Sequence, residues 1–209
     1  HPLENKSIQG LYAPGSIFKV VTSYSGLEQS AISPEDEKFC NGEFYVTGRT
    51  DPYKCWKEGG HGRVNLVNAI KGSCNVYFYN VGMEVGVDQM NKHARMFGLG
   101  KITGIGLLNE KEGLIPSSKW KQREYNEPWY EGENPTMAIG QGFIIVTPLQ
   151  VLNMINILAN DGIWVPPKLF LKQEGPQPLR IKLKQEYLDL IRKGMVAVVN
   201  EIGGTARKV

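Results

Sequence analysis

Two serines in this chain stand three residues ahead of a lysine, in Ser16-Ile17-Phe18-Lys19 and in Ser118-Lys119-Trp120-Lys121. Residues three apart on a helix share a face, so each lysine stem can reach the hydroxyl of its serine. A lysine that has lost its charge could take that proton and leave an oxygen able to attack a carbonyl, which requires partial burial or a neighbouring cation. The pattern alone is weak: Ser-x-x-Lys is expected about once by chance in a chain of this size at ordinary residue usage. Context separates the two copies. The first follows the Pro14-Gly15 turn and opens an apolar run, where Ser16 feels the positive end of a helix dipole. The second lies in a charged stretch and reads as solvated surface. A further candidate group is Ser73-Cys74-Asn75, in which a second hydroxyl could relay a proton and a carboxamide could orient a substrate amide while bonding the lysine. Taken alone, Ser73 and Asn75 suit a helix N-cap equally well; together with Ser16 and Lys19 the catalytic reading gains.

These groups need elements to hold them. With 209 residues, 41% of them hydrophobic, the chain can bury one substantial core. The net charge of +3 and the lack of a long Lys/Arg run argue against a nucleic-acid partner. The most apolar stretch, residues 142–159, carries Thr147, Pro148, Gln150, Asn153 and Asn156, too many polar groups for a membrane span. His1-Pro2-Leu3-Glu4-Asn5-Lys6 has neither the basic nor the apolar region of a signal peptide, and the sequence reads as an excerpt of a longer protein. Residues 16–27 read as a helix packed on one face and weakened at Gly26. Residues 33–62 read as an irregular loop or hairpin, and short helices follow at 64–70, 75–85 and 87–97, the last closed by Gly98. Residues 113–135 read as a long polar and aromatic segment. Thr147-Pro148-Leu149-Gln150 supplies an N-cap, a proline at the first helical position and a capping-box glutamine, so the helix running to Asp161-Gly162 is expected to be the buried spine. Short strands over 163–183 and an amphipathic helix over 185–200 complete the chain.

The stretches "LYAPGSIFK", "CWKEGGHGRVNLVNAIKGSCNVYFY", "MFGLG", "LIPSSKWK", "AIGQGFIIVTPLQ" and "GGTA" resemble the transpeptidase domain of class B penicillin-binding proteins, nearest to the penicillin-binding protein 2 group of the rod-shape elongation machinery. The resemblance spans nearly the whole chain. It implies an α+β fold of the penicillin-binding protein and serine β-lactamase kind, with a helical subdomain (64–162), an inserted loop (33–62), and returning strands and a helix (163–209), all part of one transpeptidase domain. It further implies a peptidoglycan D,D-transpeptidase in which Ser16 is acylated by a stem peptide, Lys19 is general base, Ser73 relays the proton and Asn75 holds the substrate amide. Its expected partners are peptidoglycan stem peptides, β-lactam antibiotics and membrane proteins of the elongation machinery, and its expected location is the periplasmic face of the bacterial inner membrane, with the membrane anchor outside this chain.

The sequence departs from that pattern in one respect. No Lys-Thr-Gly occurs; Gly203-Gly204-Thr205-Ala206 is the stretch that precedes that strand in the family. The strand is therefore expected beyond Val209, and the 209 residues alone are expected to react poorly with penicillin. A serine β-lactamase or penicillin sensor, and a non-catalytic zinc-stabilised scaffold, remain alternative readings.

Cys40, Cys55, His61 and Cys74 offer four ligands of the Cys3His kind that close a structural zinc site. The extracytoplasmic setting implied by the resemblance makes a Cys40–Cys55 disulfide with Cys74 free the main competitor, and unlinked thiols the third possibility. The odd cysteine count, the placing of His61 between Gly60 and Gly62 and the want of another anchor for the loop favour Zn2+, and some members of the resembled group carry zinc here. Cys74 would then tie the turn bearing Ser73 and Asn75 to the loop. No organic cofactor is expected. Of the other residues, His93 reads as a solvated helix position and His1 as chain end. Tyr53, Trp56, Trp129 and Tyr130 read either as groove walls or as packing beneath a loop. Gly140-Gln141-Gly142 reads as a backbone turn near the cleft floor.

Overall fold

The structure, a computed structural model, describes residues 4–170 and 175–207; the expectation for His1 and the centre of the 163–183 stretch lie outside them. A 3-10 turn, Gly15–Phe18, runs directly into helix α1, Lys19–Glu28. Two nested antiparallel hairpins follow, strand β1 (Lys38–Cys40) on β4 (Gly62–Val64) and β2 (Glu43–Phe44) on β3 (Tyr53–Lys54). Six helices come next: α2 (Leu66–Lys71), α3 (Asn75–Val85), α4 (Val87–Met96), α5 (Ser118–Tyr125), α6 (Asn134–Ala138) and α7 (Pro148–Ala159). Strands β5 (Ile163–Trp164) and β6 (Leu179–Arg180) pair antiparallel before the closing helix α8, Gln185–Asn200. No described helix is long and apolar enough to cross a membrane.

The buried spine is α1, not α7 as its capping signals led us to expect. Every residue of α1 from Lys19 to Leu27 is buried, and the helix packs against α3, α4 and α8. Its Phe18 turn, Val21, Tyr24 and Leu27 are all shielded from water, each contributing about 1.5–3 kcal/mol of apolar burial. Helix α7 does form the expected capping box, with the Thr147 hydroxyl accepting from the Gln150 N–H and the Gln150 side chain accepting from the Thr147 N–H. Yet it hides only one face, and Leu152 is 64% exposed. Capping fixes where a helix starts; it does not say how many neighbours the fold will supply.

Gly26 also has a different role from the weakening expected of a helical glycine. A Cβ there would lie 2.7 Å from Val81 Cγ1 and 3.0 Å from Ile32 Cγ1, so the missing side chain lets α1 and α3 approach closely. His93, expected to be solvated, is 1% exposed, and its Nδ1 lies 2.9 Å from the buried Ser25 hydroxyl. Helix α4 thus lays its imidazole on α1, and burial pushes that imidazole below its ordinary range, keeping it neutral.

Candidate active site

The serine turn is shaped by backbone contacts. Gly15 adopts φ +58°, and its N–H donates to the carbonyl of Gly140 at 2.9 Å. Gly140 itself has φ +73°, and a Cβ on it would fall 2.2 Å from the Gly15 carbonyl oxygen, so only glycine allows this approach. The 140–142 turn therefore braces the segment that carries Ser16. One residue of that segment faces water and the next functional one does not: Ser16 is exposed, whereas Lys19, one turn on, is 3% exposed.

The Lys19 Nζ donates to three neutral acceptors, the Ser73 carbonyl at 2.9 Å, the Ser73 Oγ at 2.9 Å and the Asn75 Oδ1 at 2.7 Å. The Ser73 hydroxyl in turn donates to Ser16 Oγ at 3.0 Å. Four residues singled out in the sequence thus come together from two segments, α1 with its 3-10 turn and the entry to α3. The link between Ser16 and Lys19 differs in one respect from the direct reach that their spacing suggested: it runs through the Ser73 hydroxyl. Burial pushes the Lys19 ammonium down from its ordinary 10.5 to about 8, against an opposing pull from the thiols of Cys55 and Cys74. No carboxylate stands among its hydrogen-bond partners, and the pull of Cys55 and Cys74 offsets the loss of hydration only in part.

Ser73 holds this position through an unusual backbone. Its φ is +49°, in the left-handed region that costs a non-glycine residue about 1 kcal/mol or more. Cys74 then caps α3, its Sγ accepting from the Tyr77 N–H at 3.5 Å. The N-cap expected of Ser73 or Asn75 is thus supplied by the cysteine between them, which frees both polar side chains to face Lys19.

Behind the turn, the sulfurs of Cys40, Cys55 and Cys74 and a ring nitrogen of His61 all lie within 4.8 Å of one another, and the three thiols are unpaired. His61 Nδ1 is 3.7 Å from Cys40 Sγ and 3.4 Å from Cys55 Sγ. A tetrahedral ion with ordinary Zn–S and Zn–N bonds would hold such atoms about 3.6 Å apart, so the donor set fits a four-coordinate metal. A hydrogen bond from Cys74 holds the Cys55 thiol well below its ordinary range, the direction that metal ligation by a thiolate requires. The other ring nitrogen, Nε2, is 3.0 Å from the Gly72 carbonyl. A metal on Nδ1 would leave the proton on Nε2, where it donates to that carbonyl.

A cavity of about 840 Å³ opens onto Ser16, with Trp56, Ser73, Asn75, Gln141, Thr205 and Arg207 among its lining. A second, mostly apolar hollow of about 400 Å³ meets Ser16 from the side of Val20, Ile70 and Met195. Gln141 lies at the cleft, where the reading of the 140–142 turn placed it, whereas Arg207 carried no signal of its own in the sequence. Of the four aromatics weighed as groove walls, Trp56 alone lines the serine cavity. Tyr53 donates to the Gly132 carbonyl, Trp129 to Asn134 Oδ1, and Tyr130 lies against Lys121.

The second Ser-x-x-Lys copy is not the solvated surface it was expected to be. Ser118 opens α5 and donates to Asp88, not to the lysine. Lys121 is 3% exposed and donates to both carboxylate oxygens of Glu133, at 2.5 and 2.6 Å.

An exposed serine, a buried lysine of lowered pKa and a hydroxyl hydrogen-bonded to both thus meet in an open cleft, on a fold of helices packed about α1. The family model described as penicillin binding protein transpeptidase domain matches residues 1–209, and the chain belongs to that family. It is 34% identical over 217 residues to the peptidoglycan D,D-transpeptidase MrdA of Escherichia coli K12, with 99% of this chain covered. It is 38% identical over 181 residues to MrdA of Acinetobacter baumannii, with 87% of this chain covered. The chain spans about a third of the length of these relatives, 34% and 27% respectively. Among solved structures, penicillin-binding protein 2 of Pseudomonas aeruginosa in complex with WCK 5153 superposes with a TM-score of 0.93 at 34% identity, over 99% of this chain and 49% of that one. Penicillin-binding protein 2 of Helicobacter pylori in complex with MreC gives 0.93 at 33% identity, over 99% and 39%.

Proposed function

We propose that this chain carries the acyl-transfer centre of a peptidoglycan D,D-transpeptidase of the penicillin-binding protein 2 kind. The observation that carries this reading is the hydrogen-bonded series Ser16, Ser73, Lys19, Asn75, with the lysine at a pKa of about 8. With Lys19 neutral, the Ser16 proton passes to Ser73 Oγ while the Ser73 proton passes to Lys19 Nζ, and Ser16 Oγ attacks the carbonyl between the two terminal D-alanines of a stem peptide. The C–N bond breaks, the leaving amine takes a proton back from Lys19 through Ser73, and an ester remains on Ser16. An amine of a second stem peptide then attacks that ester, giving its proton up through the same series and releasing Ser16. The Ser16 N–H, in the first turn of a 3-10 helix and free of a helical partner, is suited to receive the oxyanion. Asn75 holds the substrate amide.

The same serine would accept β-lactam antibiotics, whose strained amide mimics the peptide. Zn2+ is the ion we assign to Cys40, Cys55, His61 and Cys74. It supplies no step of the reaction and would fix the hairpins to the α3 entry. The family resemblance of the sequence suggests the periplasmic face of the inner membrane as its place of action, and the complex of Helicobacter pylori penicillin-binding protein 2 with MreC supports a partner from the elongation machinery. In the full-length protein, a labelled penicillin should add its own mass to the peptide containing Ser16. A label on any other residue, or none, would overturn the assignment. Rapid turnover of nitrocefin in place of a stable adduct would favour the β-lactamase reading, and cell-wall elongation that survives Ser16→Ala would favour a scaffold.

A further inference from the structure

We infer that Trp56 is a positioning residue for the acyl-transfer centre, acting through its indole N–H on the Gly72-Ser73 peptide units. The Nε1–H is shared between two successive carbonyls, Gly72 O at 3.0 Å and Ser73 O at 3.0 Å. Each of those carbonyls has one other side-chain partner: Gly72 O has His61 Nε2 at 3.0 Å, and Ser73 O has Lys19 Nζ at 2.9 Å. The indole therefore bridges the metal-ligand loop and the lysine across a single turn. Its ring meets His61 edge to face at 5.5 Å, which fixes the indole from behind.

The need for such a clamp lies in Ser73. Its left-handed backbone, φ +49°, is intrinsically unfavourable and will relax unless its surroundings hold it. A relaxed φ would rotate the Ser73 side chain away from both Ser16 and Lys19 and break the proton path. Two helix-closing bonds, Ser73 N–H to the Ile70 carbonyl at 3.0 Å and Cys74 N–H to the Ala69 carbonyl at 2.9 Å, hold this backbone from the α2 side, while the Gly72 and Ser73 carbonyls are held by His61, Trp56 and Lys19, the last a reacting group whose donation changes as it titrates. Trp56 supplies a donor that does not titrate. Trp56 is 58% exposed and lines the serine cavity, so its N–H reaches the turn from the cleft side.

The inference rests on the acyl-transfer reading, and the test keeps the two apart. In the full-length protein, Trp56→Phe removes the N–H and shrinks the ring, while replacement of Trp56 by benzothienylalanine keeps the ring shape and exchanges N–H for sulfur. Stopped-flow acylation by a β-lactam should show the acylation rate constant falling about tenfold in both, with the dissociation constant of the initial complex changed less than about twofold. Hydrogen exchange over residues 70–77 should quicken in both, a readout that needs no reaction. Normal acylation and unchanged exchange in the benzothienylalanine protein would overturn the inference even if Trp56→Phe is impaired, because the ring alone would then matter. A weakened initial complex with an unchanged rate constant would also overturn it, making Trp56 a substrate wall. Failure of the unaltered protein to form an adduct would defeat the acyl-transfer reading, leaving exchange to decide the clamp.

Discussion

The two Ser-x-x-Lys segments share a spacing and a buried lysine, yet their surroundings differ in kind. Lys19 meets two oxygens of Ser73 and the amide oxygen of Asn75, all uncharged, and its ammonium is destabilised to a pKa of about 8. Lys121 meets the carboxylate of Glu133 with two hydrogen bonds and lies 4.4 Å from the centre of the Tyr130 ring, a setting built for a cation. Ser16 is exposed and accepts a hydrogen bond from the Ser73 hydroxyl; Ser118 donates its own to Asp88. Burial alone therefore does not make a lysine a base. Burial among uncharged hydrogen-bond acceptors lowers its pKa, because desolvation then outweighs the pull of the nearby Cys55 and Cys74.

The largest contrast should come from the serines. Ser16→Ala should abolish β-lactam adduct formation in the full-length protein, a loss beyond about a thousandfold, while Ser118→Ala leaves it within about twofold, as read by intact mass. Adduct on the Ser16→Ala protein would break the comparison outright. For the lysines, the effects should fall on different properties. Lys19→Ala should slow acylation by about a hundredfold or more. Lys121→Ala should leave the acylation rate of the folded protein nearly intact but cost about 2–4 kcal/mol of stability, because it strands a partly buried Glu133 carboxylate. Equal kinetic losses in both would erase the distinction.

The pH profile sharpens the same point. Below about 8 Lys19 is protonated and cannot accept the relayed proton, so the acylation rate should fall about tenfold per pH unit on the acid side and level off above 8. A flat profile between pH 6 and 9 would mean that Lys19 is not the base. Cys74→Ala should release the metal, seen by elemental analysis, and lower acylation together with thermal stability, since Cys74 joins the ligand set to the cap of α3. A stable, metal-free and fully active variant would separate the loop from the site. The smallest effect is reserved for packing: Gly26→Ala gains about 1 kcal/mol of helix propensity but forces a methyl against Val81, for a net loss of about 1–2 kcal/mol in denaturant unfolding.

Much of the site was legible because its signals are local. The Pro14-Gly15 turn before an apolar run distinguished Ser16 and Lys19 from the second copy, and the spacing of three cysteines and a histidine marked the cluster that the fold gathers within 4.8 Å. Helices α3, α4 and α8 lie where periodicity and caps placed them. The misreadings share a cause. His93 and Lys121 sit among charged sequence neighbours, and their burial depends on α1 and on Glu133, which the chain brings from 65 or more residues away in the first case and across a loop in the second. Helix α5 was hidden for a similar reason: its polar sequence has little amphipathic pattern, and Ser117 as N-cap was its main signal.

What the sequence by itself determined is the chemistry on offer: a serine and a lysine on one helical face, a Ser-Cys-Asn triplet at a helix entry, and a donor set suited to a soft divalent ion. Residue type and short spacing are enough for that, since side-chain reach and helix geometry are local properties. Tertiary structure alone decided which acceptors surround each lysine, that the link from Ser16 to Lys19 runs through the Ser73 hydroxyl and not directly, and that Trp56 closes on the Ser73 carbonyl. Those outcomes depend on desolvation and on hydrogen bonds between segments 54 or more residues apart for the lysine and 17 for the indole. Neither quantity is written into any one stretch of chain; both arise when packing removes water and chooses which acceptors remain.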